Sequence, residues 1–201
     1  LSYTKVFYKI LFSAFLLLVA FSGYSQEDFS PFVPKFQNLN FDNGISNLSV
    51  QSIQQDDQGY IWMATTRGLN RYDGISFEHF FFKDNNDYSL YHNRTSNLHK
   101  GFNGQLFCST MYGVNIFDPK VEKIYRIKPN NEWFSDFIDF NGITYGTSFY
   151  GGLYVYIQEE KSFKPVSQFD SNISVNGLIA DEKTGIWGKT VDNKTLVNYN
   201  P

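Results

Sequence analysis

Glycine turns and short apolar runs alternate along the chain in a pattern that repeats four times. The glycines that open the repeats are Gly59, Gly104, Gly142 and Gly185, at separations of 45, 38 and 43 residues. Between turns the apolar runs span about four to eight residues, which suits a β-strand and is too short for an amphipathic helix. The pattern therefore predicts an all-β chain built from a unit of about forty residues.

Further positions recur in the same order within the unit. An aromatic residue closely follows the first glycine in every copy: Trp62, Phe107, Tyr145 and Trp187. A second glycine follows that aromatic in three copies: Gly68, Gly113 and Gly151. The first copy continues through Leu69, Tyr72 and Asp73, and the later copies keep the apolar and aromatic members of this step. A single sequence unit is therefore repeated with drift.

Strand patterns also flank each glycine pair, as in Ser49–Gln55 before the first pair and Ile75–Phe82 after it. Short strands joined by tight turns in a repeated unit are typical of β-propeller blades, which stack because one blade cannot bury both of its faces alone. We predict a partial β-propeller of about four blades, each a four-stranded antiparallel sheet. The predicted blade units are 36–82, 93–128, 133–168 and 173–201, without closure of a ring.

The turn residues have predictable structural roles. We expect the repeated glycines to adopt positive φ, because tight turns require it. We expect Asp57 and Asp73 to accept hydrogen bonds from nearby backbone N–H groups, as turn aspartates commonly do. A catalytic role for these two carboxylates is the alternative interpretation.

The N-terminus has a different character. Lys5 and Lys9 precede an apolar run, Ile10–Phe21, and small residues follow it. This order is typical of a secretory signal peptide, here residues 1–25, with cleavage between Ser25 and Gln26 and a linker at 26–35. A membrane anchor is the alternative, but the apolar run is shorter than the roughly 20 residues that a membrane span needs. We therefore predict an exported protein.

Composition narrows the function classes. The net charge of −3 gives no reason to expect a nucleic-acid or anionic-membrane partner. The aromatic share of 19% favours strands over helices. Cys108 is the only cysteine, so it forms no intrachain disulfide, and its strand-like surroundings predict a buried, inert thiol.

Residues Phe36–Phe80 resemble the first blade of the two-component regulator propellers, found in periplasmic sensor regions of hybrid histidine kinases from Bacteroidetes-type bacteria. The matching positions are Gly44, Ile45, Ser46, Val50, Ile53, Asp56, Gly59, Ile61, Trp62, Thr65, Gly68, Leu69, Tyr72, Asp73 and Gly74. Ala64 departs from the usual glycine, and Phe107 and Tyr145 replace tryptophan in later copies. The resemblance extends more weakly to Asn200.

The resemblance implies a function for the chain. It would be the ligand-sensing module of a hybrid two-component sensor histidine kinase that detects a glycan-derived oligosaccharide and signals across the membrane to control transcription. Its partners would be that oligosaccharide and the C-terminal propeller, transmembrane and kinase regions of the same protein, which would act as a homodimer. This segment itself would be no enzyme, although the full-length protein would be a histidine kinase. It would need no cofactor and contact no nucleic acid.

Two alternatives belong to other function classes. One is an exported propeller that binds another protein and has no kinase output. The other is a glycan-active hydrolase, because Asp57–Trp62 resembles the Asp-box of sialidase-like propellers. Such enzymes need an arginine cluster and paired carboxylates, and this chain has only four arginines: Arg67, Arg71, Arg94 and Arg126.

Candidate ligand-binding residues are exposed-looking aromatics in polar segments. Tyr88, Tyr91 and His92 lie in the predicted loop Lys83–Arg94, and Trp133 lies in a second one. Aromatic rings can stack on a sugar ring, whereas the plainer alternative is that these segments are solvated loops. We predict no catalytic and no metal-binding residue, because the histidines and Cys108 lack the spacing of a zinc site.

Overall fold

The computed structural model describes residues 7–9, 12–13, 34–127 and 133–201. The chain divides into two units, Leu1–Asn38 and Leu39–Pro201, and the strands lie in the second. In the first unit, residues 7–9 and 12–13 are helical. The rest of the predicted signal peptide, its cleavage site at Ser25 and Gln26, and most of the linker lie outside the described residues. Within the described ranges, no helix has the length and apolar character needed to cross a membrane.

The second unit consists of consecutive antiparallel sheets in which each strand pairs with its neighbour in sequence. The first sheet contains β1 (Val50–Gln55), β2 (Ile61–Thr65), β3 (Gly68–Tyr72) and β4 (Phe77–Phe80). The second contains β5 (Thr95–Lys100), β6 (Leu106–Thr110), β7 (Gly113–Asp118) and β8 (Lys123–Ile127). The third contains β9 (Phe134–Phe140), β10 (Ile143–Ser148), β11 (Leu153–Ile157) and β12 (Ser162–Pro165). The fourth contains β13 (Val175–Asp181), β14 (Gly185–Thr190) and β15 (Leu196–Tyr199).

The predicted all-β class is confirmed, with one difference in the fourth repeat. Three sheets have the expected four strands, but the fourth sheet has three strands among the described residues. A short 3-10 turn, Phe41–Asn43, precedes the first sheet and is capped by the side chain of Asn40. The repeat unit read from the sequence therefore corresponds to one sheet in each of its copies.

The first strands of the sheets lie side by side: β1 contacts β5, β5 contacts β9, and β9 contacts β13. Each first strand has an irregularity in its pairing near its start, as β-bulges produce. Side chains of the preceding sheet bond backbone groups in this region. Ser52 Oγ accepts a hydrogen bond from the Leu98 N–H at 3.2 Å, and Asp136 Oδ2 accepts one from the Leu178 N–H at 2.9 Å. These contacts fix neighbouring sheets to each other at their inner edges.

Apolar cores fill the spaces between consecutive sheets. Trp62 is completely buried, and its ring centroid lies 4.7 Å from that of Phe117 in the second sheet. Phe107 takes the equivalent place between the second and third sheets, and Tyr145 between the third and fourth. The recurring aromatic of the sequence repeat is therefore the centre of each inter-sheet core. Burial of rings of this size is a major source of stability.

The turn between β1 and β2 is organised by Asp56 and not, as expected, by Asp57. Asp56 Oδ1 accepts hydrogen bonds from the backbone N–H groups of Gln58 and Tyr60, both at 3.0 Å. The carboxylate of Asp57 instead pairs with Lys100 Nζ of the second sheet at 2.7 Å. The two adjacent aspartates differ in burial, and the one that points inward takes the structural role.

Asp73 caps the turn between β3 and β4. It accepts hydrogen bonds from the backbone N–H groups of Ile75 at 2.7 Å and Ser76 at 2.6 Å, and from Ser76 Oγ at 2.9 Å. These bonds stabilise the carboxylate and hold the pKa of Asp73 below its ordinary value.

Gly68 shows why the turn positions require glycine. Its φ is 110°, a conformation that other residues rarely adopt. A Cβ at this position would lie 2.7 Å from the Phe81 ring and 2.9 Å from the Phe80 carbonyl oxygen. The turn after β2 can therefore approach the segment after β4 only because residue 68 has no side chain.

Candidate functional site

Turns and connections from all four sheets meet at one end of the molecule. Because strands alternate in direction, the turn between the second and third strands and the connection into a first strand lie at the same end. Backbone hydrogen bonds join them, from the Thr66 N–H to the Ser49 carbonyl oxygen at 3.3 Å and from the Phe149 N–H to that of Trp133 at 2.7 Å. We call this end the connection face. Its residues are 44–49, 66–67, 92–94, 111–112, 133, 149–152, 166–174 and 191–195.

Three aromatic side chains form an exposed group on the connection face of the third sheet. The ring of Trp133 stacks on that of Phe149 with centroids 5.5 Å apart and planes 26° apart, and Tyr150 meets Phe149 edge-on at 5.9 Å. Phe149 is 51% exposed and Tyr150 is 67% exposed. We call Trp133, Phe149 and Tyr150 the aromatic ledge.

The aromatic ledge borders the second sheet. The indole Nε1–H of Trp133 donates to Ser96 Oγ in β5 at 3.5 Å. Ser174 Oγ, in the connection to the fourth sheet, donates to the Phe149 carbonyl oxygen at 3.0 Å. Contacts with the sheets on both sides therefore fix the ledge in place, which reduces the ordering cost of binding a ligand there.

His92 lies on the same face, in the second repeat. Its ring meets that of Tyr112 edge-on with centroids 5.0 Å apart, and Tyr112 is 51% exposed. His92 Nδ1 accepts a hydrogen bond from the Arg94 N–H at 3.0 Å, which places the proton of the neutral ring on Nε2. The second repeat thus adds another aromatic pair to the connection face.

The structure places Tyr88 elsewhere, at the outer edge of the second sheet. Tyr88 meets Tyr125 edge-on at 5.9 Å in a cleft of about 420 Å³. Lys123 Nζ lies 4.8 Å from the centroid of Tyr88, and Lys161 Nζ lies 3.5 Å from that of Tyr125. The rings in this cleft already have cationic partners. It is therefore a less suitable surface for an uncharged sugar.

Tyr91 is held within the connection between the first two sheets. Its backbone N–H donates to Asn115 Oδ1 at 2.8 Å, and the Arg126 guanidinium lies 5.9 Å from its ring. Arg126 also donates to the carbonyl oxygens of Ser89 at 3.0 Å and Lys83 at 2.9 Å. The long connection is thereby anchored to β8.

The four ligand-binding candidates predicted from the sequence therefore lie in two different regions of the structure. His92 and Trp133 lie on the connection face near the first strands, whereas Tyr88 and Tyr91 lie toward the outer edge. Sequence reasoning did not select Tyr112, Phe149 and Tyr150. For Tyr112 and Tyr150 the signal was an aromatic residue directly before the second glycine of a repeat, which places a ring at the tip of a turn, and Phe149 precedes Tyr150 in the same turn.

The electrostatics of the connection face do not point to a metal or a nucleophile. Among the described residues, no group of three or more His, Cys, Asp or Glu side chains could hold a metal ion. The ion pair of His99 Nε2 and Asp139 Oδ1, 3.0 Å apart, joins β5 to β9 near the opposite end of these strands. Cys108 is buried as predicted, and burial raises the pKa of its thiol. The face is suited to stacking and hydrogen bonding.

Comparisons with known proteins agree with the repeat. Residues 44–67 match the family model of the two component regulator propeller, which confirms the predicted resemblance. The structure is similar to the extracellular domain of BT4673 from B. thetaiotaomicron, with a TM-score of 0.66, 19% identity, and coverage of 84% of this chain and 26% of that one. A second structure of that domain, assigned to a hybrid two component system, matches with a TM-score of 0.61 at 19% identity, covering 76% and 24%.

A further similar structure is the extracellular domain of BT3049 from B. thetaiotaomicron, also assigned to a hybrid two component system. Its TM-score is 0.50 at 22% identity, covering 82% of this chain and 30% of that one. A search of curated proteins finds no match. The chain thus spans about a quarter of the length of the first two of these solved structures. The predicted fold class, a partial β-propeller, is confirmed.

Proposed function

We propose that this chain, which carries a regulator-propeller repeat at residues 44–67, is the ligand-sensing module of an exported bacterial two-component sensor. We further propose that it binds a glycan-derived oligosaccharide on the connection face. The family match and the likeness to extracellular domains of two component systems support the sensor role. The choice of ligand is supported by the side chains on that face.

The exposure of the aromatic ledge is the observation that best supports saccharide binding. Phe149 and Tyr150 are more than half exposed although they are large and apolar, and exposed apolar clusters commonly mark binding sites. A pyranose ring presents an apolar C–H surface that can stack on such rings. The ledge is built on a turn whose backbone is fixed by Trp133, so the rings are positioned before a ligand arrives.

Uncharged polar groups surround the ledge. Ser96 and Ser174 bond the ledge directly, and His92 lies on the same connection face in the second repeat. Hydroxyl and imidazole groups exchange hydrogen bonds with sugar hydroxyls, and a few such groups around an apolar surface are typical of small-molecule sites. The combination favours a neutral saccharide over a charged ligand.

In this proposal the signalling steps belong to other regions of the full-length protein. Those regions are a C-terminal propeller, a transmembrane segment and a histidine kinase, and the full-length protein acts as a homodimer that controls transcription. Because the ledge contacts the second sheet and the connection to the fourth sheet, a bound ligand changes the stability of contacts between sheets. Such differential binding is what shifts a two-state equilibrium. This segment itself catalyses no reaction, needs no cofactor and contacts no nucleic acid.

The experiment measures saccharide binding to the mature chain that begins at Gln26. Oligosaccharides released from plant and microbial glycans are titrated by calorimetry. We expect one class to bind, and Trp133→Ala and Tyr150→Ala to weaken that binding by about tenfold or more, the loss of one good stacking contact.

Tyr88→Ala is the matched control, because Tyr88 is also an exposed aromatic residue, at 55%, but lies in the outer cleft. Its variant should bind with unchanged affinity. The proposed site is wrong if the ledge variants bind as tightly as the parent chain. The proposed ligand class is wrong if no saccharide in the panel binds.

A further inference from the structure

A cleft of about 260 Å³ lies between the second and third sheets, at the end opposite the connection face. It is formed by the turn between β5 and β6, the turn between β9 and β10, and the end of β11 with the turn that follows it. The second and third sheets each contact a sheet on either side, so the walls of the cleft come from the interior of the array. We call it the lower cleft, and its lining includes Phe102, Asn103, Ile143, Tyr156, Gln158 and Glu159.

The turn that carries Phe102 is held firmly against the third sheet. A Cβ on Gly101 would lie only 3.2 Å from Thr144 Oγ1, so the backbone of the turn approaches that sheet closely. Asn103 Nδ2 donates a hydrogen bond to Gln158 Oε1 in the third sheet at 3.3 Å. The two walls of the lower cleft are therefore joined before any ligand binds, which reduces the ordering cost of binding.

Two apolar side chains are exposed at the mouth of the lower cleft. Phe102 is 61% exposed and Ile143 is 40% exposed. A Cβ on Gly142 would lie 3.9 Å from the Phe102 ring, so this ring from the second sheet reaches the turn between β9 and β10. Exposed apolar side chains that meet at a cleft commonly mark a binding site.

The hydroxyl of Tyr156 belongs to the wall of the lower cleft. The Tyr156 ring packs in the core between the second and third sheets, with its centroid 5.0 Å from that of Phe107, and the residue is only 7% exposed. Within the part of the chain that the structure describes, its hydroxyl has no hydrogen-bond partner. Polar groups on buried residues normally have one. The Tyr156 hydroxyl is therefore available to a ligand in the cleft.

The lower cleft has a negative electrostatic potential. Burial is the main cause that raises the pKa of Tyr156 to about 12, and the negative charges of Asp118 and Glu159 raise it further. Both carboxylates therefore act on the phenol that lines the cleft. This potential disfavours an anionic ligand and favours a cationic one.

The basic residues of the turn after β11 have other partners. Lys161 Nζ lies 3.5 Å from the centroid of a tyrosine ring, and Lys164 Nζ pairs with Glu160 at 2.6 Å. Among residues 34–127 and 133–201, no basic side chain forms an ion pair with Glu159 or lies over the Phe102 ring. The lower cleft thus offers a carboxylate and an aromatic ring that the described chain does not supply with a cation.

We propose that the lower cleft binds the protonated primary amine of a small organic ligand. The ammonium group donates hydrogen bonds to the Glu159 carboxylate and the Tyr156 hydroxyl oxygen, and the carbon skeleton lies against Phe102 and Ile143. The face of the Phe102 ring adds a cation–π attraction. The cleft is smaller than the roughly 300–1,000 Å³ of sites for drug-sized molecules, so the ligand is small. The proposal does not depend on the saccharide site, with which it shares no residue.

The test is an NMR titration of isotope-labelled residues 26–201 with two amines and their uncharged counterparts. The pairs are 1,4-diaminobutane with 1,4-butanediol, and glucosamine with N-acetylglucosamine. We expect at least one amine to shift the backbone amide signals of Asn103 and Gly142 to saturation, and its uncharged counterpart to leave them unchanged. Saturation by the diamine alone would identify an alkyl amine as the ligand, and saturation by glucosamine alone would identify an amino sugar.

Three variants test the assigned contacts. Glu159→Gln should weaken amine binding by about tenfold or more, because it removes a charge-assisted hydrogen bond. Tyr156→Phe keeps the ring in the core and should weaken binding by about threefold or more through loss of the hydroxyl. Phe102→Ala should have an effect of similar size through loss of the ring face. The first two substitutions preserve side-chain shape, so the circular dichroism spectrum should match that of the parent.

Glu182→Gln is the matched control, because Glu182 is an exposed carboxylate in the turn between β13 and β14, at the same end of the molecule but outside the cleft. It should bind the amine like the parent, as should Phe149→Ala, which alters the aromatic ledge alone. The proposal would be overturned if neither amine gave saturable shifts, if an amine and its uncharged counterpart shifted the signals equally, or if Glu159→Gln bound the amine as tightly as the parent.

Discussion

The indole Nε1–H of Trp62 donates a hydrogen bond to Asp56 Oδ2 at 2.7 Å, in a site where Trp62 is fully buried and Asp56 is 7% exposed. One carboxylate thereby serves the turn before β2 and the aromatic centre of the first inter-sheet core. The turn and the core are coupled, because displacement of either group leaves a buried donor without a partner.

Replacement of Asp56 should destabilise the fold strongly. In Asp56→Ala, the indole N–H and the turn N–H groups lose their acceptor, and each unsatisfied buried group costs about 1–3 kcal/mol. We expect the free energy of unfolding, measured by urea denaturation, to fall by about 2–4 kcal/mol. Asp57→Ala removes only a surface ion pair with Lys100 and should change the free energy of unfolding by less than about 1 kcal/mol. Equal losses for the two variants would contradict the assignment of the cap to Asp56.

Substitutions at Gly68 and Gly74 distinguish the two ways in which a side chain destabilises a turn, which are backbone strain and steric collision. Both have positive φ, at 110° and 97°, so an alanine is strained at either position. A Cβ at residue 68 would also collide with Phe81, whereas nothing lies within 4 Å of one at residue 74. Gly68→Ala should therefore lower the melting temperature by clearly more than Gly74→Ala, as measured by thermal denaturation. A larger effect at residue 74 would show that the turn after β2 does not approach β4 this closely.

The thiol of Cys108 should be unreactive in the native protein. Its burial raises its pKa, so almost no thiolate is available to a thiol reagent at pH 8. The colour reaction with an aromatic disulfide should be very slow in buffer and fast in denaturant. Because the unfolded thiol ionises first, stability should also fall as the pH rises above the ordinary thiol pKa. Rapid reaction of the native chain would contradict the burial of β6.

Asp73 should titrate below the ordinary aspartate pKa of 3.8. Backbone N–H bonds from Ser76 and Ile75 are the main cause, and the Ser76 hydroxyl adds to them. A depressed folded pKa contributes stability above the unfolded value that is lost as the pH falls through the folded one. Carboxyl carbon NMR should show that pKa, and Ser76→Ala should raise it part of the way toward 3.8. An unchanged pKa of Asp73 in that variant would show that the Ser76 hydroxyl does not contribute to lowering it.

Much of the fold could be predicted because the repeat determines both the spacing of the turns and which side chains are buried. Trp62, Phe107 and Tyr145 stand out as a recurring aromatic, and a residue that recurs in a stacked repeat packs between the copies. The sequence could not distinguish Asp56 from Asp57, since which carboxylate points inward depends on the path of one turn.

The candidate site was harder to predict, because the sequence does not show which side chains from different turns come together. Trp133 was selected for its polar neighbours, and its stacking partner Phe149 lies on a different turn. The two come together through the backbone bond between the turn after β10 and the start of β9. Tyr88 had the same sequence context as His92 but lies at the outer edge, since Arg126 anchors the connection to β8.

The most direct test of the proposed site is a titration of isotope-labelled residues 26–201 with the saccharide that binds them, followed through the indole N–H signals of the three tryptophans. We predict that the Trp133 signal shifts in proportion to occupancy, while that of buried Trp62 stays unchanged. A saccharide that binds without moving the Trp133 signal would contradict the assignment of the aromatic ledge as the sensing site.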